Sequence, residues 1–579
     1  MTSVGIRNSG FGIRDAGDSA ILLELEPVID PDVNARAIAI AAALRDQAVS
    51  GVRDVIPTYR SVAVHFDPLT CDVDSLRSAL HQAAASPPVA ASGSLIEVPV
   101  AYGGDNGPDL DEVAAFAKLP AQAVIDRHCG TEYRVFMLGF LPGFAYMGTV
   151  DGSIAAPRKA TPRTRIPAGS VGIAGRQTGV YPRPSPGGWQ LIGRTWLDLF
   201  DPTREPASLF RAGDSVRFVP SRDPGSEIRD SRREPRNNES RIPSPESRSI
   251  TILKPGLFTT IQDGGRWGYQ DQGVPVSGPM DRHAHRLANA LVGNPPGAAT
   301  LEATLLGPEF RFDQPAVIAV TGADLEAGID GRPAALDAAH RVESGGVLRF
   351  GARRSGTRAY VAIDGGIDVP SVLGSRSTHV VTGLGGIDGR ALRASDRLAL
   401  GSPSSQQGEA NHLRREGSSN QLRRGPSRSA VDSPGGARLR AMRGPQDDYF
   451  DESVFNWLTR TRFTVSPQTD RMGYRLVPGS RMPNPEPSTA VGAGRIPTGS
   501  MISDAAFTGG IQIPPSGNPI VLMADRQTTG GYPQIATVIT ADLSLAGQLA
   551  PGDWIEFVFC TRPEAIAALR KQQEAFGAG

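Results

Sequence analysis

Two polar phrases carry the residue types a small ligand needs. Arg176-Gln177-Thr178-Gly179-Val180-Tyr181-Pro182 appears once, and a near copy, Arg526-Gln527-Thr528-Thr529-Gly530-Gly531-Tyr532-Pro533, appears far downstream. Arginine presents five donors in a rigid fork, glutamine both donates and accepts, threonine adds a hydroxyl, and glycine admits close backbone approach. That set suits a small planar amide, a carboxylate or a phosphate. Read singly, each phrase is equally a turn whose arginine pairs with a structural carboxylate. Written twice, it suggests two copies of one unit, each building half of one site. Arg176, Gln177, Arg526 and Gln527 are then the expected catalytic groups, with Thr178, Tyr181, Thr528 and Tyr532 beside them.

Other residues fit the same anionic guest. Arg163 and Arg165 stand two apart in an extended stretch and share a face, so with Arg158 and Lys159 they form a basic rim or a solvated edge strand. Trp189 follows two glycines and either walls a pocket or fills a core. Asp263 and Arg266 flank a glycine turn. Ser277 and Asp281 precede a helix, where they hold an anion or cap the helix. Glu302 is a candidate base or the buried partner of an arginine. His283 and His285 lie two apart on a helix, so their rings diverge and a surface pair is expected rather than a metal site. His128 and Cys129 are adjacent, a spacing that rarely makes a productive dyad. No metal is expected.

These residues need several domains to hold them, because 579 residues exceed one core. Lys+Arg and Asp+Glu are both 60, which argues against a nucleic-acid or membrane surface across the whole chain. Cys71, Cys129 and Cys560 are too few and too scattered for a disulfide framework, and no apolar run reaches membrane length. A cytoplasmic protein is expected.

Two Ser/Arg/Pro-rich tracts, 221–249 and 402–437, cannot bury a core and read as a linker and an insertion. Residues 11–95 read as a small α+β module. A strand at Ala20–Glu26, a helix capped by Asp30, the alternating Tyr59–Phe66, a helix near Val73–Ala84 and a return strand at "LIEVPV" suggest a ferredoxin-like sandwich. Residues 96–220 carry short apolar runs broken by Gly and Pro, the texture of a closed barrel. The same texture returns over 250–401 and 438–560, giving three expected barrel lobes. Gly213-Asp214 and Gly552-Asp553 mark tight turns before closing strands, and 561–579 is a terminal helix opened by a Thr561–Glu564 capping box.

Longer strings carry a resemblance. "FMLGFLPGFAYMG", "ATPRTRIPAGSVGIAGRQTGVYPRPSPGGWQLIGRT", "QDGGRWGYQDQGVPVSGPMDR", "LANALVGNPPGAATLEATLLGPEFRF", "GGIDVPSVLGSRST", "TDRMGYRL" and "ADRQTTGGYPQIATVITADL" together resemble the carboxyltransferase-like family. That family contains the B and C subunits of 5-oxoprolinase, the carboxyltransferase region of urea amidolyase, and the proteins called allophanate hydrolase subunits 1 and 2. The resemblance covers roughly 11–220 and 250–560 and implies cyclophilin-like β-barrels, with a B-like and a C-like subunit fused. It implies opening of 5-oxoproline to glutamate with ATP (and Mg2+), together with a separate 5-oxoprolinase A-type subunit, and the chain could self-associate. Two alternatives stay open: a carboxyltransferase served by a biotin carrier in trans, and a non-catalytic regulator resembling a kinase inhibitor. The chain shows no phosphate-binding Gly-x-x-x-x-Gly-Lys loop, no biotinylation motif and no amidase serine signature.

Overall fold

The computed structural model describes residues 10–85, 93–221, 248–403, 435–483 and 501–574. Except for their edge residues, the two expected linker tracts lie outside these, as does the Pro-Thr-Gly-Ser segment that ends at Ser500.

The N-terminal module is one antiparallel sheet of β1 (Gly12–Asp15), β2 (Ala20–Glu24), β3 (Val52–Pro57) and β4 (Ser61–Phe66), ordered β1-β2-β4-β3. Two helices cover one face, α1 (Pro31–Asp46) and α2 (Val73–Ala85). Asp30 caps α1, its carboxylate accepting from the amides of Asp32 and Val33, and Pro31 occupies the first turn, where no amide donor is needed. Alternation then sorts the strands. Ile21, Leu23, Val62, Val64 and Phe66 pack under the helices. Ala20, Leu22, Ile56 and Ala63 turn the other way, onto Ala505 and Phe507 of the C-terminal half. The expected return strand "LIEVPV" does not rejoin this sheet. It is β5 (Leu95–Tyr102) and enters the next unit, where its backbone pairs with two barrel strands instead of the module's edge.

That next unit is a closed barrel of β5, β6 (Glu132–Leu138), β7 (Ala145–Gly148), β9 (Ser170–Ala174), β10 (Gln177–Val180), β12 (Gln190–Arg194) and β13 (Ser215–Pro220). A side ribbon pairs β8 (Arg163–Ile166) with β11 (Ser185–Gly187). Helices α3 (Leu110–Ala117) and α4 (Ala121–Cys129) plug the barrel and share its core.

The middle region is not a third closed barrel. Its strands are β14 (Ser249–Lys254), β15 (Phe258–Gln262), β16 (Thr300–Thr304), β17 (Glu309–Phe312), β18 (Ala316–Asp324), β19 (Gly328–Ile329), β20 (Arg332–Pro333), β21 (Ala339–Val342), β22 (Val347–Arg349), β23 (Ser355–Ile363) and β24 (Arg397–Ala399). They form two open sheets, ordered β20-β19-β22-β17-β14-β24 and β15-β16-β23-β18-β21. Ile250, Phe310 and Phe312 of one sheet meet Ile261, Ile318 and Val361 of the other in one core, as in a sandwich. The helix α5 (Arg282–Leu291) lies on the outer face of the second sheet through Ala284, Ala288 and Leu291 against Ala319 and Tyr360.

The last unit is again a closed barrel: β25 (Gly436–Arg443), β26 (Phe463–Val465), β27 (Gly473–Pro478), β29 (Gly510–Gln512), β30 (Ile520–Leu522), β32 (Gln534–Val538) and β33 (Trp554–Phe559). Its side ribbon pairs β28 (Asp504–Ala505) with β31 (Thr529–Gly530). Both closing strands, β13 and β33, follow Gly-Asp turns whose glycines, Gly213 and Gly552, have φ of 99° and 91°. Each runs parallel to the first strand of its barrel and antiparallel to the second. The C-terminal helix Arg562–Glu574 opens with the capping box, Glu564 accepting from the Thr561 amide and hydroxyl.

Candidate functional site

The two Arg-Gln-Thr phrases do not occupy equivalent places. In the first barrel Gln177–Val180 is β10 itself, paired with β7 and β9. The strand in that position of the second barrel is β30, paired with β27 and β29. The second phrase begins only after β30 and runs through the side ribbon to β32. Its structural counterpart is Ser185-Pro186-Gly187-Gly188-Trp189-Gln190. β11 pairs with β8 as β31 pairs with β28, and Gln190 opposes Ile173 as Gln534 opposes Gln512. The shared wording is therefore not one site motif folded twice.

The first phrase opens a cleft. Arg176 and Gln177 line a cavity of about 350 Å³ with Tyr59, Phe136, Met147, Gly148, Thr149, Ile29 and Pro31. The Gln177 carboxamide donates to the Tyr59 hydroxyl at 2.6 Å. Tyr59 sits at the β3–β4 turn, 1% exposed, and burial pushes its phenol above the ordinary range. It packs on Phe136 and meets Tyr146 edge-on, with ring centroids 6.2 Å apart. Tyr146, Tyr181, Trp189 and Phe144 continue this aromatic floor, and Ile502 of the second barrel joins it. Ser503 and Thr529 of the C-terminal half lie near the Tyr146 hydroxyl and hold its phenol lower than burial alone would leave it. Thr529 also accepts from the Phe140 amide at 3.1 Å. Gly139 is obligatory there, since a Cβ would lie 1.9 Å from the Thr529 hydroxyl. The positive charge of Arg158 reaches Tyr59, Tyr146 and Tyr181, holding their phenols lower than burial alone would leave them. Arg158 and Arg176 are exposed, and neither guanidinium has a hydrogen-bond partner among the described residues. An open guanidinium and a fixed carboxamide beside Tyr59 and Phe136 suit a small anionic amide.

The remaining candidates are placed elsewhere. Strand alternation turns Thr178 into the barrel, where its hydroxyl meets His128 Nε2 at 3.0 Å and donates to the Gly172 carbonyl. Burial alone pulls His128 down to about 3. Arg163 is held by Asp109, while Arg165 stays exposed. Tyr532 is 39% exposed. Arg526 is 2% exposed and donates to Thr508 Oγ1, the Gln527 carbonyl and Gln270 Oε1, so its fork is spent within the fold. Thr528 is buried beside it, and Gln527 is half-buried at the side ribbon. Arg266 is fully buried and donates to the carbonyls of Val372 and Ser377. Ser277 lies buried at φ 57°, near Asp525. Asp281 caps α5. Glu302 is the buried partner of an arginine: it contacts Arg471 and accepts from the Tyr360 hydroxyl and the Met280 amide. Arg471 also grips Asp525 through two bonds of 2.9 Å, which depresses that carboxyl despite its burial. His285 is not on the surface. It is 2% exposed, bonded to Thr300, and held down to about 4 by burial. Among the described residues no His/Cys/Asp/Glu group could hold a metal ion.

The cleft residue missed in the sequence is Tyr59, with Phe140, Phe144, Tyr146 and Ser503 in the packing behind it. A signal existed for some: a tyrosine in a tight hairpin turn, and aromatics inside a Gly/Pro loop, are misplaced for structure alone. Nothing local marks Ser503.

Two closed barrels and a two-sheet sandwich, with a cleft between the N-terminal module and the first barrel, define a carboxyltransferase-type assembly. Residues 11–210 match the carboxyltransferase domain, subdomain C and D, and residues 272–559 match the carboxyltransferase domain, subdomain A and B. The chain belongs to this family and joins both parts. It is 43% identical over 221 residues to the 5-oxoprolinase B subunit of Bacillus subtilis, spanning 36% of this chain and 92% of that protein. It is 36% identical over 327 residues to the 5-oxoprolinase C subunit of Escherichia coli, spanning 56% of this chain and 96% of that protein. The solved structure of TTHA0988 is 33% identical and superposes with a TM-score of 0.76 over 94% of this chain and all of its own. Urea amidolyase of Saccharomyces cerevisiae is 33% identical over 332 residues, 57% of this chain but 17% of that protein.

Proposed function

We propose that this chain is a fused B–C component of an ATP-dependent 5-oxoprolinase that opens 5-oxo-L-proline to L-glutamate with a separate A-type subunit. One observation carries the reading: nearly complete relatives of the B and C subunits lie in one chain. The guest is a five-membered lactam with one carboxylate. Arg176 faces that carboxylate. Gln177, fixed through Tyr59, keeps its carbonyl oxygen and second amide hydrogen for the lactam group. Tyr59 and Phe136 line the cavity beside the flat ring. ATP would supply the phosphoryl group that turns the inert lactam oxygen into a leaving group. Open guanidinium groups at the rim fit its phosphates, and Mg2+ would be carried on those phosphates rather than in a protein cage.

A carboxyltransferase served by a biotin carrier in trans is the second reading, favoured by the urea amidolyase match. Glutamate release measured with and without the A-type component, across 5-oxoproline, urea and allophanate, separates the two. Glutamate appearing only with 5-oxoproline, ATP and the A-type component is expected. Turnover of urea or allophanate, with 5-oxoproline inert, overturns the proposal.

A further inference from the structure

Two irregular points of backbone bring aromatic rings to the cleft, and one side chain ties them together. β6 carries a bulge at Phe136, where its pairing with β7 shifts register between Val135 and Met137. A bulge leaves its extra residue outside the ladder and re-aims its side chain. The tight turn between β3 and β4 presents Tyr59 in the same way. Both residues line the cavity, and their ring centroids lie 5.0 Å apart. Each irregularity also leaves a buried carbonyl to be satisfied, that of Phe136 and that of Thr58.

Asn34 takes both. Its Nδ2 donates to the Thr58 carbonyl and to the Phe136 carbonyl, each at 2.9 Å, and its Oδ1 accepts from Arg134 Nε at 2.9 Å. The side chain is fully buried. It stands in the first turn of α1, whose opening residue Pro31 also lines the cavity. One planar amide thus joins the module's helix, the module's turn and the barrel's strand beneath the cleft. An aspartate has the same shape but offers neither carbonyl a hydrogen. An apolar side chain would leave both carbonyls buried without partners. The support continues upward, because the Tyr59 hydroxyl accepts from Gln177 at 2.6 Å.

We propose that Asn34 is a positioning residue for the cleft: it fixes Tyr59 against Phe136 and, through the Tyr59 hydroxyl, the aim of Gln177. Its consequence for turnover rests on the proposed function, whereas the aim of Gln177 belongs to the fold and is read without turnover.

The test has two arms, both on the full chain. In the first, glutamine side chains are labelled with 15N, and the Gln177 amide signal is assigned by its absence in Gln177→Ala. The parent protein should show a Gln177 amide hydrogen protected from exchange by its bond to Tyr59. Asn34→Asp should lower that protection at least about tenfold, the loss of about one hydrogen bond's worth of constraint. Arg134→Ala, which leaves both Asn34 donors in place, should lower it less. In the second arm, glutamate release is followed with 5-oxoproline, ATP and the A-type component. Asn34→Asp should lower kcat about tenfold and change KM less than about twofold. In a Gln177→Ala background it should cost nothing further, whereas a residue acting only on the fold would multiply the two losses. Unchanged Gln177 protection in Asn34→Asp, or losses that multiply in full, overturns the proposal. No glutamate from the parent protein, with protection still lost in Asn34→Asp, overturns the proposed function and upholds the positioning role. Unfolding curves check that each variant is folded; if Asn34→Asp does not fold, Arg134→Ala carries both arms, and unchanged protection there overturns the proposal.

Discussion

The two closed barrels run through the same cyclic strand order, yet the most similar words in their sequences mark different positions. In the first, the Arg-Gln-Thr phrase leads into a wall strand and presents Arg176 and Gln177 to a cleft. In the second it lies beyond the matching strand, and its arginine is locked inside the seam between units. Strand pairing, not wording, decides equivalence: backbone bonds fix which residues oppose one another, whereas a short polar string costs little to rewrite. A phrase can therefore line a cleft in one copy and serve as a structural clamp in the other.

This contrast can be broken by experiment. Arg526→Ala removes three hydrogen bonds from a buried cation and should cost about 3 kcal/mol or more in urea unfolding. Arg176→Ala, at an exposed position, should stay within about 0.5 kcal/mol. Equal losses would erase the distinction. Gln177→Ala should lower glutamate release about 100-fold with the unfolding midpoint unchanged, as expected when a preorganised polar group at the reacting centre is removed. A collapse of the fold instead would make Gln177 a clamp too.

The seam also carries a pH signature that the cleft lacks. Burial raises the Asp54 carboxyl to about 6. A carboxyl raised on folding favours the folded state in its protonated form. That stabilisation is complete below the unfolded value near 4, and it is lost as pH rises through about 6. Stability measured from pH 4 to 7 should therefore carry a falling component of at most about 3 kcal/mol from this group, absent in Asp54→Asn. A variant with the same slope assigns it elsewhere. Last, Tyr59→Phe removes only the acceptor that orients Gln177. It should cost about 1 kcal/mol and a several-fold drop in kcat/KM, with little change in unfolding.

Much of the local architecture was legible because it rests on short-range rules. The Asp30 cap, the alternation of Val62, Val64 and Phe66, the Gly213 and Gly552 turns, and the Thr561–Glu564 box are each written within a few residues. The destination of a strand is not so written. β5 has the alternation of a sheet edge but joins a barrel, because its backbone pairs with β12 and β13 rather than with the module's edge. Closure escapes a local reading as well: the middle region has the barrel texture, but its strands stop in two open sheets. In the site, Gln177 is legible from its chemistry. Its support is not, because Tyr59 and Tyr146 are brought to it by separate strands, and hydrophobic pattern alone reads them as core. His285 departs from the expected surface pair because two histidines look polar in sequence, while the helix turns one of them under Tyr360.

The module's sheet is clasped from both sides, by its own helices and by the C-terminal barrel. The clasp includes Asp18 on Thr540, Ser61 on Asp504 and Arg562 on the carbonyls of Gly17 and Asp18. The halves therefore carry their own adhesive, and the peptide joint between Ser221 and Arg248 adds proximity to a union already made. A chain severed there should stay together through dilution and chromatography. Its fusion sets the one-to-one ratio of the halves at synthesis and spares them a search for each other.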